Sequence, residues 1–371
     1  MIKIKIGEEG KGYPVYLHYG FLKKSGLLVK HHHSGCPILV VADKNVSSLY
    51  GDIFRQSLLR EGFKPYMVVL EGGEKEKTLR SAFKLYGAAL KVGLDRKSIV
   101  VALGGGVIGD LAGFVAATYM RGVSLVQVPT TLLAMVDSSV GGKVAVNHPL
   151  GKNIIGSFYQ PSLVLSDVDI LKTLPQREMA AGLAELVKYG IILDAGLFHQ
   201  LERFLKNSFT GMKNKALLNL IAKAVLVKGK VVSLDEKEKD FRRILNFGHT
   251  IGHALESATD YNYYLHGEAV TIGMIAETCL SMRLGILRKS EARRILNLLW
   301  LLNPLLPPGE VTCEKVIEAL FFDKKNEAGE TVFVLPTSVG EGVFYKSPSL
   351  SEVRDVLEKC LFLKENKEVK G

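Results

Sequence analysis

Ser98-Ile-Val-Val-Ala-Leu103-Gly104-Gly-Gly106-Val-Ile-Gly109-Asp110 runs an apolar strand into a glycine turn and then into a helix through Tyr119. A helix that starts directly after such a turn offers unpaired backbone N–H groups and the positive end of its dipole, which together hold an anion. The glycines permit the turn and let a pyrophosphate approach the backbone. Gly104, Gly106 and Gly109 satisfy G-x-G-x-x-G. That spacing alone is weak, but its strand–turn–helix setting is the one a dinucleotide requires. No acid ends the next strand, where a Rossmann fold carries its ribose ligand; Val126-Gln-Val-Pro-Thr130-Thr131 stands there. Asp43 ends an earlier strand, and Glu74 and Lys77 flank another turn. Asp43 in isolation is more often a turn or cap residue. Taken with Gly105–Asp110 and Thr130-Thr131, it supports a dinucleotide site.

Outward from this unit the first half alternates strand and helix. Apolar, β-rich runs at Pro37–Ala42, Tyr66–Leu70, Ser98–Leu103 and Ser124–Val128 are separated by helical stretches such as Thr78–Val92 and Ile108–Tyr119. Such alternation predicts a largely parallel sheet covered on both faces. From about Pro175 the period becomes helical: Glu178–Ile192, Leu197–Leu205, Lys215–Leu234, Thr250–Thr259, Ala269–Leu284 and Ser290–Leu302. Pro304, Pro307 and Pro308 interrupt the chain, and Thr331–Leu335 with Gly342–Tyr345 reads as a small hairpin. The expected organisation is a Rossmann-like α/β domain over residues 1–170 and a mainly helical domain over residues 171–371.

At 371 residues the chain has room for both domains, and its 47% hydrophobic content is ordinary. No apolar run approaches the roughly 18 residues of a membrane span. The start, Met-Ile-Lys-Ile-Lys-Ile, alternates like a strand rather than a signal peptide. A cytoplasmic enzyme is expected. Cys36, Cys279, Cys313 and Cys360 lack paired spacing, which argues against a disulfide framework or a thiolate zinc site. His31-His32-His33 reads as a solvated loop. The net charge of +10 would allow nucleic acid, but the cations are dispersed and form no aromatic-interleaved stripe. Several fall in glycine-rich segments, which points to a small anionic ligand.

In the second half, Asn246-Phe-Gly-His249-Thr-Ile-Gly-His253 is followed by Leu265-His266-Gly-Glu268. Histidines four apart share a helix face, and His266 is expected in a separate turn. Neutral imidazoles suit a borderline divalent cation such as zinc. An isolated histidine pair is more often structural or solvated; the third histidine and the small residues Gly248, Gly252 and Ala254 strengthen the metal reading. One of the pair can bind metal while the other holds substrate. An oxygen ligand from elsewhere is still needed.

These motifs, in this order, resemble the 3-dehydroquinate synthase family. The resemblance spans Gly73–Lys77, Gly104–Asp110, Gln127–Thr131, Asp137–Lys143, Gly151–Asn153, Gly182–Lys188, Asn246–His253, His266–Glu268 and Asp323–Asn326. It implies a nucleotide-binding α/β domain, a helical metal-binding domain, NAD, a divalent zinc or cobalt ion, and a homodimer. The implied substrate is 3-deoxy-D-arabino-heptulosonate 7-phosphate, converted to 3-dehydroquinate and phosphate in the shikimate pathway.

Carried over residue by residue, the resemblance makes Glu185, His249 and His266 the metal ligands, one oxygen and two nitrogens. Glu185 and Lys188 would otherwise read as a surface i,i+3 pair. For the cofactor it implies Asp43, Glu74, Lys77, Gly105, Gly106, Val107 and Asp110, then Thr130, Thr131, Thr173, Leu174 and Glu178. Ile170 stands where the family often has an aromatic. Asp137 and Lys188 are implied at the hydroxyls near the metal. Lys143, Asn153, Asn246, His253 and Lys324 would surround the phosphate; of the adjacent Lys324 and Lys325, Lys324 is preferred. Lys228 and Arg242 would bind the carboxylate, with Lys152 near the cofactor, and Arg121 would reach into the neighbouring subunit. The substrate's own phosphate oxygen can act as base, so no protein general base is assigned.

Two other classes share parts of this pattern. A sugar phosphate cyclase whose substrate lacks a carboxylate would have no use for Lys228 and Arg242, and an uncompensated buried cation pair is costly. A metal-dependent alcohol dehydrogenase would release NADH and need no phosphate set.

Overall fold

The computed structural model describes residues 1–7, 12–33, 37–206, 215–324 and 331–362. They group into two compact units, Met1–Pro175 with Leu217–Lys237, and Gln176–Ala216 with Glu238–Gly371. The helix Lys215–Leu234 thus lies mostly in the first unit.

The first unit is built on nine strands: β1 Ile2–Ile6, β2 Tyr13–His18, β3 Pro37–Asp43, β4 Lys64–Leu70, β5 Ile99–Gly104, β6 Ser124–Pro129, β7 Lys143–His148, β8 Gly151–Phe158 and β9 Leu163–Asp167. Seven make one sheet in the order β1-β2-β9-β6-β5-β3-β4. It is parallel except where β1 pairs antiparallel with β2 at one edge. β5 is buried at every position because both faces are covered. Leu39, Val41, Val100 and Ala102 pack on one side; Ile38, Val40, Val101 and Leu103 pack on the other. Continuous apolar runs instead of alternation follow from that double covering. β7 and β8 form a separate antiparallel hairpin.

In the second unit, helices Gln176–Ile192, His249–Ala258 and His266–Arg283 pack together. They approach closely through glycine. A Cβ on Gly267 would lie 2.0 Å from the Ala181 carbonyl oxygen, and one on Gly273 would lie 1.9 Å from that of Gly248. β10 Val332–Ser338 and β11 Glu341–Lys346 form the expected hairpin. Among the described residues, no helix is long and apolar enough to cross a membrane.

Two local expectations need correction. His31 and His32 end a helix, Ser25–His32, rather than lying in a solvated loop. The His32 ring bonds Tyr16 at 3.1 Å and that of His33 bonds Ser162 at 3.1 Å, so packing and hydrogen bonds occupy them. His266 is the first residue of its helix and not part of a separate turn. The Glu268 side chain accepts the Leu265 N–H at 2.8 Å and caps that start. Among the described residues no disulfide joins Cys279, Cys313 or Cys360; Cys36 lies outside the described residues.

Candidate active site

In the first unit β5 delivers the chain to Gly105, which precedes the helix Gly106–Thr118 with no side-chain cap. The first-turn N–H groups are therefore not closed off by a local oxygen. The turn is narrow: a Cβ on Gly105 would lie 3.1 Å from Thr131 Cγ2, and one on Gly106 would lie 3.3 Å from Ser138 Oγ. Val107 is half-buried on the first turn of this helix. The Thr130 N–H donates to Gly104 O at 3.0 Å, while its buried hydroxyl has no hydrogen-bond partner.

One polar network gathers several predicted residues. Lys77 Nζ, nearly buried, donates to Asp110 Oδ2 and Asn153 Oδ1, each at 2.5 Å. Asn147 links Glu74, donating at 2.7 Å, with the Asn153 N–H, accepting at 2.9 Å. Burial raises the Asp110 carboxyl, and the Lys77 charge draws it partly back. Asn153 holds a left-handed φ of 58°, and Met120 and Arg121 hold 51° and 67°. Non-glycine residues adopt that region at a cost and cluster at functional positions.

The remaining first-unit positions are more varied. Asp43 accepts the Val46 N–H at 2.9 Å, so it does cap a short helix. Thr173 bonds Tyr50 at 2.6 Å, Leu174 is half-buried and Ile170 lies in the core. Lys152 is half-buried and Lys143 exposed. Lys228 Nζ donates to the Asp137 carbonyl at 2.7 Å and pairs with its carboxylate. Its buried charge is therefore compensated within the protein, which weakens the cost argument against substrates lacking a carboxylate.

In the second unit, Glu185 and Lys188 form a fully buried ion pair, not a surface one. Glu185 Oε1 has no hydrogen-bond partner and lies 3.9 Å from His249 Nε2 and 3.9 Å from His266 Nε2. Two metal–ligand bonds of about 2.0–2.2 Å can span that separation. A buried oxygen without a donor, facing two imidazole nitrogens, fits a cation and little else. His249 Nδ1 lies 3.1 Å from Phe247 O, so a proton there leaves the Nε2 lone pair facing Glu185. Burial holds His249 well below the ordinary histidine range, and Lys188 pushes the same way. Burial also lowers His266, but Glu256 and Glu185 outweigh it and lift its pKa.

His253 is exposed, its ring 5.5 Å from that of His249 and 5.9 Å from that of His266. Arg242 is buried and Asn246 half-buried. Glu178 is raised by burial and by Glu268, with Arg177 opposing. Lys324 ends the helix Cys313–Lys324, and Lys325 lies outside the described residues.

Three supporting carboxylates received no role from the sequence, although Glu268 stood in a quoted motif. Glu256 Oε1 lies 3.8 Å from His266 Nδ1. Glu268 takes Arg177 in a fork of 2.6 and 2.7 Å while capping the His266 helix. Glu277 lies beneath the start of the His249 helix. Only Glu268 carried a sequence signal, an acid three residues after a helix N-cap.

Residues 67–181 match the family described as 3-dehydroquinate synthase N-terminal, and residues 182–326 match its C-terminal counterpart. The chain belongs to the 3-dehydroquinate synthase family. A 3-dehydroquinate synthase from Pelotomaculum thermopropionicum is 49% identical over 343 residues, 92% of each chain. Among solved structures, 2-epi-5-epi-valiolone synthase from Streptomyces hygroscopicus subsp. jinggangensis, with NAD+ and Zn2+ bound, superposes with a TM-score of 0.87 at 30% identity. That match covers 95% of this chain and 98% of the other. A 2-deoxy-scyllo-inosose synthase complexed with carbaglucose-6-phosphate, NAD+ and Co2+ gives 0.82 at 26% identity, covering 97% and 100%. Membership of the 3-dehydroquinate synthase family thus agrees with the resemblance carried by the sequence motifs.

Proposed function

We propose that this protein is a 3-dehydroquinate synthase, turning 3-deoxy-D-arabino-heptulosonate 7-phosphate into 3-dehydroquinate and phosphate. The observation that carries the reading is Glu185 Oε1, buried without a donor and 3.9 Å from two imidazole nitrogens, in a chain of this family. Identity of 49% to a named 3-dehydroquinate synthase, against 30% to a valiolone synthase, favours the carboxylate substrate over its cyclase relatives.

Glu185, His249 and His266 would hold a zinc or cobalt ion. The first unit would hold NAD, with the glycine turn at Gly105, Gly106 and Val107 taking the pyrophosphate. Asp43, Glu74, Lys77, Asp110, Thr130, Thr131, Thr173, Leu174 and Glu178 would line the rest. When bound, the ion supplies Lewis-acid polarisation of the substrate oxygens and NAD carries a hydride away and back. Lys228 and Arg242 would bind the carboxylate, keeping one end of the substrate fixed while charge moves. Lys143, Asn153, Asn246, His253 and Lys324 would surround the phosphate. Asp137 and Lys188 would hold the hydroxyls, and Lys152 would serve the cofactor side.

A homodimer in the cytoplasm completes the proposal. Leu150, Ile154 and Phe158, on and beside the β7–β8 hairpin, are exposed apolar residues, which suits a partner copy. Arg121 would enter the partner's site. Purified protein given NAD at a small fraction of substrate, with divalent metal, should release phosphate over many turnovers with no net NADH. Stoichiometric NADH would instead make it a dehydrogenase.

A further inference from the structure

The helix His249–Ala258 starts after Gly248, which holds a left-handed φ of 79° and has no side chain to cap it. Its first i→i−4 bond runs from the Gly252 N–H to Gly248 O at 3.0 Å, so earlier N–H groups need partners from elsewhere. Glu277, on the helix His266–Arg283 and 0% exposed, supplies two acceptors there. Its Oε2 accepts the Gly248 N–H at 2.6 Å, and its Oε1 faces the Ile251 N–H at 3.5 Å. One buried carboxyl thus meets N–H groups on both sides of His249. One turn back along the same helix, Gly273 lies so close to the Gly248 carbonyl that a Cβ there would be 1.9 Å away, which gives the turn a hard floor. Burying a carboxyl in this way costs free energy that an apolar side chain would not. No step of the proposed reaction uses Glu277.

We propose that Glu277 is a positioning residue: by clamping the Gly248 and Ile251 N–H groups it sets the height and rotation of the helix, so that His249 Nε2 faces Glu185. The inference rests on the metal reading above. Partners that orient a metal ligand typically account for 10–100-fold in affinity.

Cobalt(II) binding to metal-free protein, measured by competition with a chelator, reads this without turnover. Glu277→Leu should weaken cobalt about 10–100-fold and change the intensity of its visible absorption. Glu277→Gln, which keeps one acceptor oxygen, should lose less. Leu201→Ala, at a fully buried position on the helix Ala195–Lys206, is a destabilised control that should keep wild-type affinity. Wild-type affinity and spectrum in Glu277→Leu would overturn the proposal, as would an equal loss in Leu201→Ala. Should Glu277→Leu fail to fold, Glu277→Gln decides, and an unchanged affinity and spectrum there overturns it. Cobalt binding untouched by His266→Ala would instead overturn the metal reading, and this inference with it.

Discussion

A single buried carboxyl can report its own environment. Burial pushes Glu277 up to about 8, with the Gly248 and Ile251 N–H groups pulling the other way. An exposed glutamate in the unfolded chain titrates near 4.3. Below about pH 4 both states carry the proton and Glu277 contributes no pH dependence. As pH rises from about 4.5 to 8 the unfolded chain releases a proton that the native state retains, so stability falls, levelling above 8. Glu277→Gln removes this titration. In metal-free protein the stability of the wild type relative to Glu277→Gln should fall as pH rises through that window, with a limiting slope of about 1 kcal/mol per pH unit. Denaturant unfolding at pH 5, 6, 7 and 8 measures it, and parallel curves would show that the carboxyl titrates normally. Residue identity alone could not disclose this group. Glu277 sits in an apolar helical stretch, and only the packing of a second helix shows what its oxygens meet.

At the scale of elements, the glycines between helices matter more than those in turns. Gly273 and Gly267 let the three helices bearing Glu185, His249 and His266 approach to backbone contact. Gly273→Ala would drive a methyl into the Gly248 carbonyl, and overpacking of this kind costs about 1–3 kcal/mol. Thermal unfolding should show that loss, together with weaker cobalt binding, because the displaced backbone carries His249. Full retention of both would mean that the crossing is soft. The apolar period revealed these helices from sequence, and the glycine turn after β5 revealed the nucleotide unit. Helix starts were less legible. His266 resembled a turn residue because its flanking glycine outweighed the one local cue, Glu268 three residues after the N-cap, whose side chain accepts the Leu265 N–H. The histidine run at residues 31–33 looked solvated because its partners, Tyr16 and Ser162, are distant in sequence.

For the whole molecule, the motifs disclosed far more than composition did. The proposed metal set combines an acid on one helix with histidines on two others, and the spacing of the histidines alone left the oxygen ligand unnamed. The family resemblance named Glu185, and the structure places its partnerless Oε1 opposite both imidazoles. Assembly is where sequence said least, since exposed apolar residues acquire meaning only on a surface. If Arg121 serves the partner subunit, mixing inactive Arg121→Ala with inactive His266→Ala under subunit exchange should restore part of the activity. In each mixed dimer one site would then be intact. No recovery, with mixed dimers demonstrated, would count against sharing.

The metal set is tested most directly by X-ray absorption on cobalt-loaded protein. The proposed ligands predict two imidazole nitrogens and a carboxylate oxygen at about 2.0–2.2 Å around one ion, with one imidazole lost in His266→Ala. A spectrum without imidazole scattering, or one unchanged by that substitution, would contradict the account.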